Sequence, residues 1–403
     1  MSGGVGTPGV DGPGGSREGT GLPAAPPYGS SSLADVLPAV ARALGVELPG
    51  RPVGSGGDGL VVPSCARACV VLVDGLGELA LADRGGHAPF LRRLRGEGAH
   101  RAITAGFPTT TATSMGLFGT GLPPGGHGLV GYEVLDPARD VLVNQLAWDA
   151  ELDPRRWQPH PTVLQEVQAA GVEVVRVGPP HFDGSGLTEA VLRGGRFVGT
   201  PDSLDARVDA AVSAVRASAR SLVYVYWGQL DWTGHGSGVG SWEWGDELER
   251  VDAALAALAR RLPRDCRLVV TADHGMVDVP FARRLDLAAE PELAAGVRHA
   301  GGEPRALHLY CEPDAAGDVL ERWRRRLGEE AWVLTRDEAV AAGWFGPVAA
   351  GVAERIGDVL AVMRTDTAVV NSARQRPQVL RLLGHHGALT PQERLVPLFV
   401  TPG

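Results

Sequence analysis

Four stretches of this sequence end an apolar run on, or stand just before one with, carboxylate and imidazole groups. VVLVDG ends at Asp74, VYVYWGQLDWTGH brings Asp231 and His235, LVVTADHG brings Asp273 and His274, and GHHG carries His385 and His386 just before a final apolar run. Oxygen and imidazole donors of this kind hold zinc or manganese. Any one alone reads as a turn, a helix cap or a satisfied core histidine. Together they bring acid and imidazole to four strand ends, and burying so many would be costly without a cation to compensate them. A site for two metals accounts for all four. A fifth stretch, FPTTTATSMG (107–116), is a run of hydroxyls followed by the apolar LFGTGL, so a helix starts near Thr111. A hydroxyl there faces free backbone N–H groups and the positive end of the helix dipole, a place suited to phosphate. An ordinary threonine cap is the alternative. Beside metal ligands, a hydroxyl activated as a nucleophile is the sharper expectation.

The elements that must position these groups are legible as near-continuous apolar runs at 68–75, 172–178, 221–228, 267–275 and 394–402, with helical patterns between them. They predict an α/β fold with a mainly parallel central sheet and helices on both faces, with ligands gathered beyond the carboxyl ends of the strands. Trp244, Leu248, Val251, Leu255, Leu258 and Leu262 form one buried helical stripe, and Leu204, Val208, Val212 and Val215 another. From 281 to 371 the texture changes to ALHLYC, AWVLT, GDVLAVM and the charged helix DVLERWRRRL, which predicts an inserted α+β subdomain. The catalytic domain is then 31–280 plus 372–403. Residues 1–30, rich in Gly, Pro and Ser, predict a disordered tail. They lack a signal peptide's charged start and apolar stretch, and no apolar run reaches spanning length, so a cytoplasmic protein with no membrane partner is expected.

Composition narrows the chemistry. Asp and Glu number 47 against 38 basic residues, a formal charge of −9, which leaves no cation excess for stable binding of a nucleic-acid duplex. Every basic residue is Arg and no Lys occurs, which excludes a lysine nucleophile, a Schiff base and a Walker lysine. Cys65, Cys69, Cys266 and Cys311 are too few and scattered for a disulfide framework and read as reduced, mostly buried thiols.

In order along the chain, VDG, TATSMGLFGTGLPPGGHG with Thr111 ten residues before Gly121, DWTGH, ADHG and GHHG resemble the alkaline phosphatase superfamily. The closest likeness is to its nucleotide pyrophosphatase/phosphodiesterase branch, over roughly 68–280 and 380–403. The resemblance implies an alkaline phosphatase-like fold and two divalent cations, zinc first and manganese as the alternative. Asp231, His235 and His386 would hold one; Asp74, Asp273, His274 and the Thr111 oxygen would hold the other, leaving His385 outside the ligand sets. It implies Thr111 as the nucleophile and a phosphothreonine intermediate that water cleaves. Thr109 and Thr110 then become turn or capping residues, and Thr113 and Ser114 first-turn helix residues. Where the branch has an Asn that contacts a phosphate oxygen, HGLVGYEVLDP has Tyr132, read either as a substrate-binding donor or as a packed strand aromatic.

The implied function is hydrolysis of phosphodiesters or nucleotide pyrophosphates, with a small-molecule phosphate ester or nucleotide as substrate. A phosphomonoesterase is the closest alternative, and the lack of an Arg beside the nucleophile in the sequence favours diesters over it. A metal-dependent phosphomutase is kept in play by Arg298, Arg305 and Arg324 to Arg326, which otherwise read as surface charges. A sulfatase is excluded, since TATSM lacks the required Pro and Arg. A non-catalytic phospho-ligand binder would be expected to have lost a ligand or the nucleophile, and none is missing.

Overall fold

The computed structural model describes residues 21–51 and 59–401. RACVVLV forms the strand Arg67–Val73, buried from Ala68 onward, between the parallel strands Ser221–Trp227 and Cys266–Thr271. Across the seven-stranded sheet the order is His100–Thr104, Leu395–Val400, Cys266–Thr271, Arg67–Val73, Ser221–Trp227, Glu173–Gly178 and Arg196–Gly199. Both faces are covered, which is why the central strands can be apolar throughout. On one face Val71, Val225 and Trp227 meet Val208, Val251 and Leu255. On the other, Phe118 packs against Tyr224 at 5.2 Å between ring centroids.

The two helices on the first face follow the apolar stripes read from the sequence. The Ser241 side chain caps Trp242–Arg261 by accepting the Trp244 N–H, and Trp244, Leu248, Val251, Leu255 and Leu258 are buried; the helix stops before Leu262. Ser203 caps Leu204–Arg216 in the same way. The last strand departs from the parallel expectation, running antiparallel to both its neighbours. Its apolar run fits either direction, and the approach of the chain decides: it enters from Pro391–Arg394, which adjoins Gly275 at the edge where the parallel strands end. A strand that starts where its neighbours finish must run against them. The edge strands His100–Thr104 and Arg196–Gly199 are short and partly polar, and periodicity did not reveal them.

Within 281–371, the strands Val297–Glu303, Ala306–Cys311, Val359–Met363 and Ala331–Thr335 form a second, antiparallel sheet in that order. Leu307, Leu309, Val359 and Ala361 on one face pack with Val319 and Trp323 of the helix Ala316–Leu327. Ala306, Leu334, Leu360 and Val362 on the opposite face join the core of the large sheet, so the second sheet is fused to the first through apolar contact. Of the tail expected to be disordered, residues 1–20 lie outside the described residues, but 21–30 do not fit that expectation. There Pro26 is buried, and the Tyr28 hydroxyl donates to the Trp344 carbonyl (2.8 Å) and accepts the Phe107 N–H (3.2 Å). The backbone of the stretch is held as well, with the Trp332 and Trp344 indole N–H groups donating to the Gly21 (3.0 Å) and Pro23 (3.2 Å) carbonyls. All four cysteines are free, and no helix among the described residues is long and apolar enough to cross a membrane.

Candidate active site

The strand ends converge as their chemistry suggests. Asp74 follows Arg67–Val73, and Gly75 behind it has φ +74; a Cβ there would lie 2.9 Å from Asp231 Cα, so only glycine lets the Asp231 backbone come so close. Asp231 and His235 sit one turn apart on the helix Gln229–Ser237 and therefore share a face. Asp231, His235 and His386 each offer a ligand atom, all within 4.8 Å of one another; Asp74, Asp273 and His274 do the same. The two sets adjoin, with the His274 and His386 rings stacked at 3.7 Å.

The hydroxyl run links them. Thr110 is the extended N-cap of the helix Thr111–Thr120, and Thr111 Oγ1 lies 3.2 Å from His274 Nε2. Thr109 grips the loop behind His386: its hydroxyl donates to the Ala388 carbonyl (2.9 Å) and accepts the Gly387 N–H (3.0 Å), while its carbonyl receives His386 Nδ1 (2.8 Å). Ser114 Oγ donates to the Asp273 carbonyl (2.7 Å). Thr109 and Ser114 were read only as turn and helix residues; they are the struts between the Thr111 segment and the segments that carry His386 and Asp273.

Protonation follows from these partners. His235 Nδ1 faces the Gly384 carbonyl at 2.7 Å, His274 Nδ1 the Gly275 carbonyl at 3.0 Å, and His386 Nδ1 the Thr109 carbonyl. A carbonyl only accepts, so each Nδ1 carries the hydrogen and each Nε2 keeps a lone pair. Asp74 Oδ1, Asp231 Oδ1 and Asp273 Oδ2 are buried without any hydrogen-bond partner. Burial, then the Asp273 and Asp231 charges, push the Asp74 carboxyl well above the usual carboxylate range. Burial and Asp231 push Asp273 up to about 7. Burial, then His274 and His235, hold His386 well below an ordinary imidazole. Orphaned acceptors, mutual repulsion and free imidazole lone pairs are what divalent cations relieve, and the donor set fits them.

A cavity of ≈ 420 Å³ opens on Asp74, Thr111 and Asp231, walled by Tyr226, Phe182, Phe197 and Arg176 among others. Arg176 is a cavity residue that the sequence reading did not single out. The available signal was a charge inside the apolar run VEVVRVG, at a position the sheet buries. Tyr132 is not among the residues lining this cavity; its N–H donates to Glu303 Oε1 (3.1 Å). His385 belongs to neither ligand set; it is buried, its Nε2 lies 3.1 Å from the Leu382 carbonyl, and burial, then His235, push it down to about 3. The arginines that kept a mutase in play do not line the cavity. Arg298, Arg324 and Arg326 pair with Asp140, Glu338 and Glu290. Arg305 is not a surface charge at all but fully buried against Glu393, which supplies the compensating charge.

Residues 68–389 match the type I phosphodiesterase/nucleotide pyrophosphatase family. The chain belongs to that family. Its fold is shared with solved members of the wider alkaline phosphatase superfamily. Phosphonoacetate hydrolase from Sinorhizobium meliloti 1021, in complex with phosphonoacetate, superposes with a TM-score of 0.66 at 21% identity, over 88% of this chain and 92% of that one. Murine ectonucleotide pyrophosphatase/phosphodiesterase 5, an inactive variant in complex with AMP, gives 0.65 at 19% identity, over 82% and 87%. The phosphopentomutase of Anaeromyxobacter dehalogenans (strain 2CP-C) is 38% identical over 120 residues, 29% of this chain. That match spans 28% of the phosphopentomutase's own length.

Proposed function

We propose that this phosphodiesterase-family chain hydrolyses phosphoric ester or anhydride bonds of small molecules, nucleotides among them, through a phosphothreonine at Thr111. The observation that carries the reading is the placement of the Thr111 hydroxyl, at a helix start, on the cavity and against one of two adjoining donor sets. Asp231, His235 and His386 would hold one divalent cation, and Asp74, Asp273, His274 and the Thr111 oxygen a second, zinc or manganese on these donors. Such cations supply charge neutralisation at the phosphoryl oxygens and acidify a hydroxyl near neutral pH. The amides of Thr111, Ala112 and Thr113 precede the first intrahelical bond, from Ser114 N–H to the Thr110 carbonyl (2.9 Å), and are free to orient a phosphoryl oxygen. Thr111 Oγ1 attacks in line; its bond to phosphorus forms as the bond to the leaving oxygen breaks. Water then cleaves the phosphothreonine and restores the hydroxyl.

The test uses both ester classes. The purified protein is analysed for bound metal and assayed with bis-p-nitrophenyl phosphate and p-nitrophenyl phosphate, with and without chelator. Two metals per chain, chelator-sensitive turnover and a loss of about 10³-fold or more in Thr111→Ala are expected. Undiminished turnover in Thr111→Ala overturns the nucleophile, and a metal-free, inactive protein supports a binding role instead.

A further inference from the structure

The fold satisfies its other fully buried guanidinium groups. Arg305 is bonded to both oxygens of Glu393 and to the carbonyls of Thr365 and Thr367. Arg207 donates to the Tyr226 carbonyl (2.7 Å) and to Thr200 (3.2 Å), and lies over the Trp227 ring. Arg176 is treated differently. It is 7% exposed, and its Nε and Nη1 are buried with no hydrogen-bond partner; Nη2 reaches the Gly195 carbonyl only at 3.4 Å. Its face is covered by Phe197, 5.4 Å from the ring centroid, which satisfies no N–H in the guanidinium plane. Two carboxylates act on it from a distance, and neither forms an ion pair with it among the described residues. Asp183 is exposed to solvent, and Glu189 is engaged by Arg155 at 2.7 Å.

A cation buried with two unmet donors is costly in the free protein, and such groups are retained where a ligand completes them. Arg176 lines the same cavity as Thr111, Asp74 and Asp231, and the wall they share includes the aromatic pair Phe182 and Tyr226, 5.4 Å apart. We propose that Arg176 receives a second anionic group, a carboxylate or a phosphate, carried on the organic part of the phosphoric ester whose phosphorus Thr111 attacks. The inference rests on the hydrolase reading of Thr111 and deepens it. The substrate class is an ester with charge at both ends and an apolar body between, and planar guanidinium geometry suits either anion.

The test needs no turnover. Phenylphosphonate, its 3- and 4-carboxy derivatives and benzene-1,4-diphosphonate are uncleavable probes, and their binding to the metal-loaded protein is followed by calorimetry. The wild-type protein should bind at least one of the doubly anionic probes about 10-fold more tightly than phenylphosphonate. Whether the carboxy or the diphosphonate probe gains more identifies the second anion. Arg176→Met should abolish that gain and leave phenylphosphonate affinity unchanged, while Arg176→Lys, which keeps the charge, should retain part of it. Equal affinity for all probes in the wild-type protein overturns the proposal, as does an equal loss on every probe in Arg176→Met. The two readings fail separately. A surviving preference with full turnover in Thr111→Ala removes the nucleophile and keeps Arg176; no preference with a dead Thr111→Ala removes Arg176 and keeps the hydrolase.

Discussion

Arg305→Met is expected to destabilise the protein by ~3–5 kcal/mol, because it leaves the Glu393 carboxylate buried and uncompensated. Both side chains are fully buried, and Arg305 Nε and Nη2 each lie 2.8 Å from a different Glu393 oxygen. Arg305 Nη1 also donates to the carbonyls of Thr365 (2.6 Å) and Thr367 (2.7 Å). Glu393→Gln leaves the opposite charge stranded and should cost a similar ~3–5 kcal/mol. In the double variant no buried charge remains. The glutamine oxygen can still accept the Ala388 N–H, which Glu393 holds at 3.0 Å, and the chief residue of damage is two carbonyls without donors. At ~1 kcal/mol for each of these, the double variant should lose ~2–3 kcal/mol, against ~6–10 kcal/mol if the two changes simply added. Reversible urea unfolding followed by tryptophan fluorescence measures all four corners of the cycle. Metal content gives a second readout. The Glu393 carbonyl holds the Gly275 N–H (2.8 Å) beside His274, and Ala388 holds the Thr109 hydroxyl beside His386, so each single variant should also bind metal more weakly. A double variant whose loss equals the sum of the singles within ~0.5 kcal/mol would refute the argument.

Gly75→Ala forces a Cβ to 2.9 Å from Asp231 Cα at φ +74; metal affinity by equilibrium dialysis should fall about 10-fold or more, and unchanged affinity would count against the packing account. Ser114→Ala removes the donation to the Asp273 carbonyl and should cost ~1 kcal/mol in unfolding free energy, with a matching small loss in metal affinity; a neutral result would show that the strut carries no load. Glu303 is buried and pushed by that burial from 4.5 up to about 8. The folded state thus holds this proton more tightly than the unfolded chain, and the associated stability is present below about 4.5 and lost as pH rises through about 8. Glu303→Gln cannot ionise, so its stability relative to the wild type should climb across that window by up to ~1.4 kcal/mol per pH unit and then level off. Parallel pH profiles from urea unfolding would contradict the burial argument.

The grouping of Asp74, Asp231, Asp273 and the histidines was legible because strand ends in an α/β sheet share an edge, so these side chains could be brought together before any contact was known. Thr111 emerged from its spacing to Gly121 through the family resemblance. What the sequence hid are relations between distant segments. Thr109 meets Ala388, and Ser114 meets the Asp273 carbonyl, and nothing local marks either hydroxyl as a strut. Arg305 looked like surface charge because its partner Glu393 belongs to another part of the chain. Arg176 was in plain view inside VEVVRVG, but an apolar run reads as a core strand and absorbs a lone charge into that reading. Strand direction at 395–400 was invisible for a related reason, since burial on both faces leaves no vectorial pattern.

The antiparallel strand Leu395–Val400 fills the position between Cys266–Thr271 and His100–Thr104, in the interior of the sheet, although the ribosome delivers it after everything else in the site. His386 emerges only after the whole 281–371 segment, on the order of ten seconds behind His274 at ordinary elongation rates. Until then a nascent chain holds the Asp74, Asp273 and His274 set and Thr111, but neither the third member of the other set nor the strand that closes the gap. Two interior sheet edges stay open for that interval, the kind of surface that pairs with a wrong strand. The Asp231 and His235 pair therefore waits for His386 to complete its donor set, and the strand Leu395–Val400, which follows His386, acts as a timer for when the sheet around that set closes.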